Sequence, residues 1–342
     1  MKLLTAIWIL LICLGATYNT QNSKLLLLAN AKKYVEQKNH ESASIAIHEY
    51  MTMYGVDAEI KTLQKKWVPL LIKAYLEPSL IKARPVRWKV KPSKTNCTAG
   101  ILDTFEYLSF ESNLNLIRLL AGVPKVNDID IEFSLACQQA AWVMHVNEDI
   151  DHKIPKNWKC YSVSADLAAS SSNLSYGYSA GQALVGMMRD EEDNNSAAGH
   201  RRWLLNPALT FPGYGLTDNT TAIWVIGQKA NFREVYNDLS YYDTHPITWP
   251  VAGSHPIMLV SSRFSITIRK ADFSNAKVSV TKNGKSVAIK KYTPTGNYGN
   301  PTLVFDVPTI PKVGETYAIS VSNIKDANGN VVRYNYETSF ME

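Results

Sequence analysis

Apolar residues in the first part of the chain recur at three- and four-residue spacing, which is typical of amphipathic helices. The predicted helices run over Leu25 to Tyr34, Ser42 to Tyr54 and Ile60 to Leu76. Gly55 and Pro78 mark breaks in this pattern. Residues 17–80 are therefore predicted to form a helical N-terminal segment that packs on the domain after it.

The central region mixes this helical spacing with short strand-like runs. Helices are predicted over Phe105 to Leu120, Ile131 to Val146, Ser179 to Met188 and His200 to Leu205, and strands over Phe211 to Thr217 and Thr221 to Gln228. Helices that flank an antiparallel sheet make an α+β domain.

From about Asp243 onward, apolar and polar residues alternate with a period of two, as in half-buried strands. Asn283-Gly284 and Asn328-Gly329 are strong hairpin signals between such runs. About six short strands in roughly 100 residues predict a β-sandwich of the immunoglobulin-like type over residues 243–342.

A basic connector, residues 81–96, separates the helical segment from the central region. Its positive charges are Lys82, Arg84, Arg87, Lys89, Lys91 and Lys94, and no acidic residue occurs between Glu77 and Asp103. Such a run is typical of a solvated linker, and contact with an anionic cell envelope or polysaccharide is the alternative. The net charge of the whole chain is only +6 and no nucleic-acid motif is present, so nucleic acid is not an expected partner.

The N-terminus has the pattern of a secretory signal peptide. Lys2 precedes a short apolar run that ends at the small residues Gly15 and Ala16. We assign residues 1–16 to this signal; an uncleaved membrane anchor is the alternative. No other segment is apolar enough to cross a membrane, so the mature protein is expected to be secreted, extracellular or in the cell envelope.

Three cysteines remain once Cys13 of the signal is removed. Cys137 falls in an apolar helical pattern and is predicted to be a buried core thiol. Cys97 and Cys160 lie in turn-rich polar sequence. In an exported protein we expect these two to form a disulfide.

The candidate chemistry is concentrated around two histidines. Asp190, Asn195 and His200 stand five residues apart, and His152 lies 48 residues before His200. Two imidazoles and a carboxylate in one cleft would make a divalent metal site, an acid/base site or a ligand pocket. Zinc would need a further ligand from Asp190 or Glu191. The structural alternative is that the histidine and the asparagine only hold a loop in place.

Two arginines follow His200 directly. Arg201 and Arg202 cannot both be directed into the core by a simple helical pattern. We therefore predict that one of them pairs with an acidic residue and that the other is solvated.

Gly177-Tyr178-Ser179-Ala180-Gly181 matches the G-x-S-x-G elbow of serine hydrolases, with a strand-like run before it and a helix after it. That fold also needs alternating strands and helices downstream, with the acid and the histidine well beyond the serine. The sequence after Asn206 instead predicts antiparallel strands. A serine hydrolase at Ser179 is thus the weaker alternative.

Five segments carry a family resemblance: Asn115-Leu116-Ile117-Arg118-Leu119-Leu120-Ala121-Gly122-Val123-Pro124, Ala136-Cys137-Gln138-Gln139-Ala140-Ala141-Trp142-Val143-Met144, His152, Gly199-His200-Arg201-Arg202-Trp203-Leu204-Leu205-Asn206-Pro207 and Gly213-Tyr214-Gly215. In order and spacing they resemble the CAP superfamily (SCP, PR-1 and antigen 5-like proteins), in its bacterial secreted form. The resemblance covers residues 97–240 and implies an α-β-α sandwich.

The resemblance also implies a cleft with two histidines and two acidic residues, which binds zinc or other divalent ions in some members. Ser172 stands where the first glutamate is expected, so a cation should be held less firmly here. The second acidic role maps onto Asp190, with Glu191 as substitute, and Asn173 would fix the loop under the cleft.

Family members have varied activities, including lipid or sterol binding and proteolysis, so the fold does not define one function. We expect a secreted binding or interaction protein whose ligand is a lipid, a polysaccharide or a protein, and we assign no catalytic residue. The alternative is a hydrolase that uses His152 and His200 with a metal or a bound water.

Overall fold

The computed structural model describes residues 21–191, 195–236, 238–293 and 299–342, so the predicted signal peptide 1–16 lies outside the described residues. The described residues are 39% helical and 23% strand, which confirms the mixed α+β class. The helices are α1 (21–36), α2 (His40–Tyr54), α3 (Ala58–Tyr75), α4 (Thr104–Leu120), α5 (Ile131–Asn147), α6 (Val163–Ser170), α7 (Ala180–Arg189), α8 (Gly199–Leu204), α9 (Phe232–Tyr236) and α10 (Tyr241–Thr244).

The strands are β1 (Trp88–Val90), β2 (Ile101–Leu102), β3 (Ser172–Tyr176), β4 (Gly213–Leu216), β5 (Thr220–Trp224), β6 (Ile247–Trp249), β7 (Gly253–Pro256), β8 (Arg263–Thr267), β9 (Lys277–Lys282), β10 (Lys285–Val287), β11 (Lys290–Lys291), β12 (Thr302–Asp306), β13 (Thr316–Lys325) and β14 (Val331–Met341).

The three predicted N-terminal helices are confirmed, and local capping explains where α2 and α3 begin and where α2 ends. The Asn39 side chain accepts a hydrogen bond from the Ser42 amide at the start of α2, and Asp57 does the same for Ile60 in α3. Gly55 ends α2 with a positive φ of 77°, a conformation that glycine adopts without strain.

These helices share the hydrophobic core of the central domain, which runs from Leu28 to Leu259. The Ser44 hydroxyl donates to the carbonyl of Leu119 on α4. On α3, the Gln64 amide donates to the carbonyl of Ala252, just before β7. The helical segment is therefore fixed both to the central domain and to the start of the C-terminal region.

The basic connector is more ordered than a solvated linker. Arg84 makes two hydrogen bonds of 2.6 Å to the buried carboxylate of Glu106, and the Arg87 guanidinium lies over the Phe105 ring. The buried acid on α4 needs a cation beside it, and the connector supplies one. Lys89, Lys91 and Lys94 are exposed, as predicted.

The central domain has an antiparallel three-stranded sheet in the order β3-β5-β4, with helices on both faces. Successive side chains of a strand point to opposite faces. Ser172 contacts Cys137 on α5, whereas the next residue, Asn173, donates to the carbonyl of His200 on α8. On the α5 side, a Cβ at Gly215 would collide with the backbone of Gln138, so only glycine allows this helix to pack so closely on β4.

The C-terminal region consists of two sheets, in the orders β10-β9-β13-β14-β7 and β11-β12-β8-β6. Between them lies a second core that includes Phe264, Phe305, Tyr317 and Phe340. The predicted hairpin at Asn283-Gly284 is present, because β9 pairs with β10 across it. One strand departs from the antiparallel pattern, since β7 runs parallel to β14.

The described part of the chain contains no helix whose length and apolar character would allow it to span a membrane.

The predicted Cys97–Cys160 disulfide is present, and Cys137 is a buried free thiol. Burial raises the pKa of the Cys137 thiol to about 12, so this group is unreactive at neutral pH.

The disulfide joins residues 63 positions apart, so its loss should release considerable chain entropy on unfolding. We expect the double variant Cys97→Ser/Cys160→Ser to lower the free energy of unfolding by about 3 kcal/mol in urea denaturation. Dithiothreitol should bring the wild-type protein to the same midpoint and leave the variant unchanged. Equal midpoints for the oxidised wild type and the variant would contradict this expectation.

Candidate functional site

A cavity of about 800 Å³ lies where the central domain meets the segments before and after it. Its polar lining comprises Asp151, His152, Ser175, Gln182, Arg189, Asp190, Glu191, Asn195 and His200. Its apolar and aromatic lining includes Leu80, Ile81, Ile150, Leu174, Tyr176, Tyr178, Val185, Met187 and Met258. Both predicted histidines thus lie in one cavity, together with Asp190, Glu191 and Asn195.

His200 is held by the two polar residues that the sequence spacing singled out. Its Nδ1 lies 2.9 Å from Asp190 Oδ1, and Asn195 Nδ2 lies 2.9 Å from the same nitrogen. Asp190 ends α7 in the left-handed conformation, with φ of 50°, and its other oxygen accepts from the Arg201 amide. The carboxylate therefore joins the end of α7 to the start of α8 and orients the imidazole between them.

His152 is held from another direction. It lies in the exposed segment between α5 and α6, and its Nδ1 is 2.9 Å from the carbonyl oxygen of Ala169 near the end of α6. A carbonyl oxygen can only accept, so Nδ1 of this ring is the donor.

Both histidines therefore carry a proton on Nδ1. Asp190 for His200 and the Ala169 carbonyl for His152 each accept from Nδ1, because neither oxygen can donate. With its proton directed at Asp190, His200 Nδ1 has no lone pair for the Asn195 amide nitrogen, which contacts the ring at 2.9 Å without donating to it. In a neutral imidazole whose Nδ1 carries the proton, Nε2 has a free lone pair. Each ring can therefore accept a hydrogen bond from a ligand, bind a metal ion, or take a proton.

The other predicted site residues have supporting positions. Asn173 does not line the cavity; it is buried beneath it, where its side-chain amide donates to the His200 carbonyl over 3.0 Å. Glu191 lines the rim, and one of its oxygens accepts from the Ser262 amide. Ser172 contacts Cys137 in the core, so this position contributes no polar group to the cavity.

The fit of a metal ion can be tested on these contacts. Both oxygens of Asp190 already accept hydrogen bonds, and its side chain is 0% exposed. Within the described ranges, no three histidine, cysteine or acidic side chains are grouped closely enough to hold a metal. Zinc sites use at least three protein ligands. The described residues offer two imidazoles and do not make a zinc site.

Ser179 has the strand before it and the helix after it that the elbow motif requires. Its hydroxyl, however, donates to Gln182 Oε1 over 2.8 Å, and no described histidine contacts it. The neighbouring sheet is three-stranded and antiparallel. The structure therefore gives this serine no base that would activate it.

The expectation that either Arg201 or Arg202 would be solvated is wrong, because both are buried. Arg201 donates to the carbonyls of Met188 and Arg189, and Arg202 donates to the carbonyl of Asn300. The partners that the described residues supply are backbone carbonyls, and this arrangement has no local sequence signature.

Sequence reasoning also missed one wall of the cavity. Leu80 ends the N-terminal segment, Ile81 begins the basic connector, and Met258 comes from the start of the C-terminal region. Pro78 predicted a chain break close to the first pair, but only the tertiary fold brings these residues to the histidines.

Residues 112–226 match the model of the family described as the cysteine-rich secretory protein family, CAP. No curated protein matches the chain significantly.

Among solved structures, the CopC protein of Methylosinus trichosporium OB3b is 19% identical, covering 28% of this chain and 91% of its own, with a TM-score of 0.22. The N-terminal part of the bacterial S-layer protein SbsC is 12% identical, covering 93% of this chain and 78% of its own, with a TM-score of 0.20. Similarities at such scores do not define a fold.

Proposed function

Through residues 112–226 the chain belongs to the cysteine-rich secretory protein (CAP) family, and we propose that it is an exported binding protein whose cavity holds a small amphipathic molecule. The observation that carries the proposal is the shared cavity of His152 and His200. Each ring has its Nδ1 engaged with an acceptor, which leaves Nε2 for a ligand.

The chemistry of the lining indicates the class of ligand. The polar lining offers acceptors, namely the two Nε2 atoms and the carboxylates of Asp151 and Glu191, beside the Arg189 guanidinium and the amides of Gln182 and Asn195. The rest of the lining is largely apolar or aromatic. A volume of about 800 Å³ suits a ligand the size of a drug or a short lipid. The best match is a molecule with hydroxyl or ammonium donors at one end and a hydrocarbon body.

Export is supported by the signal-like pattern of residues 1–16 and by the Cys97–Cys160 disulfide, which persists in oxidising compartments. We extend the proposal to the C-terminal region and assign residues 243–342 to the immunoglobulin-like class. The two sheets around one apolar core support this assignment.

One observation favours hydrolysis as a second candidate. A histidine whose Nδ1 donates to a buried aspartate is a common general base, and Asp190 and His200 form such a pair. A water at His200 Nε2 would then be the nucleophile. A hydrolase of this kind should cleave p-nitrophenyl esters or labelled casein, and both His200→Ala and Asp190→Asn should reduce the rate.

The proposal is tested with a fluorescent monoacylglycerol, whose hydroxyls are donors, and with the matching fatty acid methyl ester, which lacks donors. We expect the monoacylglycerol to bind saturably, and His152→Ala or His200→Ala to weaken it about tenfold each, because one hydrogen bond of about 1.4 kcal/mol is lost. His245→Ala, which removes a histidine outside the cavity, is the matched control.

One further variant and one further ligand make the result decisive. Gly186 lines the cavity, and a Cβ there would meet the Tyr178 ring only at ordinary contact distance. Gly186→Leu should therefore fold and block both probes. Equal affinity of the monoacylglycerol for wild type and both histidine variants would sink the proposal. Saturable one-to-one zinc binding in calorimetry, lost in both variants, would restore the metal interpretation.

A further inference from the structure

Arg263 begins β8 in the C-terminal region, but its guanidinium reaches the wall of the cavity. Its Nη1 donates to the backbone carbonyl of Asp190 and, over 3.2 Å, to that of Asn195. These are the two residues whose side chains contact His200 Nδ1. One side chain from another domain thus binds the backbone of both residues that hold the imidazole.

The position of this guanidinium is set by the C-terminal region itself. Arg263 Nε and Nη2 donate to the two oxygens of Asp306 over 2.9 and 3.0 Å, and Nη2 also donates to the Tyr292 hydroxyl. The Arg263 side chain is 2% exposed. A bidentate arginine–carboxylate pair is both strong and directional. The guanidinium therefore presents a fixed donor to the cavity wall.

Neighbouring contacts extend the same junction. The Ser262 amide donates to Glu191, the Ser261 hydroxyl donates to the Arg189 carbonyl, and Arg201 Nη1 donates to Ser265 Oγ. The start of β8 and the turn before it thus contact Arg189, Glu191 and Arg201 as well as Asp190 and Asn195.

These contacts stabilise the backbone of Asp190, which has an unfavourable conformation. Asp190 is in the left-handed region with φ of 50°, a conformation that costs a non-glycine residue about 1 kcal/mol. The Asp190 carboxylate can orient His200 only while the backbone keeps this conformation. An external donor on the Asp190 carbonyl stabilises the strained backbone at the point where the strain is located.

We propose that Arg263 is a positioning residue for His200, and that the C-terminal domain is thereby part of the ligand cavity. The part of the test that measures ligand binding rests on the function proposed above, whereas the part that measures the His200 tautomer by spectroscopy does not. Loss of the Arg263 contact should release Asp190 and Asn195, change the hydrogen bond at His200 Nδ1, and weaken the ligand.

The spectroscopic arm measures the His200 tautomer from its imidazole ¹⁵N chemical shifts in the full-length protein. In the wild type we expect the proton on Nδ1. In Arg263→Met we expect a mixture of tautomers and about tenfold weaker binding of the monoacylglycerol. Arg263→Lys keeps a donor and should retain part of both signals. Arg269→Met removes an arginine of the same region that pairs with Asp243, and should change neither.

A second variant covers the case in which Arg263→Met does not fold, because Asp306, a partly buried carboxylate, would lose its bidentate partner. Arg263→Met/Asp306→Leu removes both charges and should fold. A folded variant with an unchanged His200 tautomer would overturn the inference. If the tautomer changes but the wild type binds no monoacylglycerol, the proposed function fails and the positioning role stands.

Discussion

Arg118→Met is expected to lower the free energy of unfolding by about 5 kcal/mol, or to prevent folding. The Arg118 side chain on α4 is 0% exposed, and it donates to four carbonyls, those of Pro124, Leu204, Asn206 and Leu209, over 2.6 to 3.1 Å. A buried carbonyl without a donor costs about 1–3 kcal/mol. Because the lost charge also relieves a desolvation penalty, the net loss is smaller than the sum of four such terms.

Arg118 remains a cation at neutral pH, since burial lowers its pKa only to about 9. Arg118→Lys should therefore keep the charge but lose part of the donor geometry, and we expect an intermediate loss of stability. Arg87→Met removes an exposed arginine that lies over Phe105, and should cost under about 1 kcal/mol. Urea denaturation measures all three, and an Arg118→Met loss as small as that of Arg87→Met would contradict the expectation.

Local patterns predicted the parts of the fold that depend on local physics. Helical spacing and the breaks at Gly55 and Pro78 predicted the N-terminal helices, and the Asn-Gly hairpin between β9 and β10 followed from its turn residues. The disulfide followed from the contrast between Cys137 in an apolar pattern and Cys97 and Cys160 in polar turns. In each case the deciding interaction lies within a few residues or depends on residue type alone.

Contacts that join distant segments could not be predicted in this way. Arg118, Arg202 and Arg263 donate to backbone carbonyls that are far away along the chain, and any residue supplies a carbonyl. For the same reason the sequence could identify His200 and Asp190 as candidates but not the C-terminal side chain that holds them. The five-residue spacing of Asp190, Asn195 and His200 was informative because these three residues contact one another and are close in sequence.

The cavity is lined partly by the region that matches the family and partly by segments outside it. The matched region, residues 112–226, supplies both histidines and Asp190. Leu80, Ile81 and Met258 lie outside it. The matched region thus contributes the polar groups and most of the apolar lining, and the segments outside it close one wall of the cavity with Leu80, Ile81 and Met258.

Acidification is expected to destabilise the protein through His255, by about 4 kcal/mol between pH 7.5 and pH 3.5. The ring is 0% exposed, with edge-on contacts to Trp249 and Phe340. Burial lowers its pKa to about 3, from an ordinary value of about 6.5. Below pH 6.5 His255 takes up a proton in the unfolded chain, whereas in the folded protein it stays neutral until about pH 3. Stability is therefore complete above pH 6.5 and falls as the pH decreases through this window.

Between pH 7.5 and pH 5 the free energy of unfolding should fall by about 2 kcal/mol. Urea denaturation at each pH measures this change. His255→Asn keeps an acceptor for the Val251 amide but cannot take up a proton. Its unfolding should therefore take up nearly one proton fewer than that of the wild type, and its free energy of unfolding should depend less on pH. Phe340→Leu destabilises the same cluster without removing a titrating group, so its curve should run parallel to that of the wild type. If His255→Asn also ran parallel to the wild type, the buried neutral imidazole would not be the source of acid sensitivity.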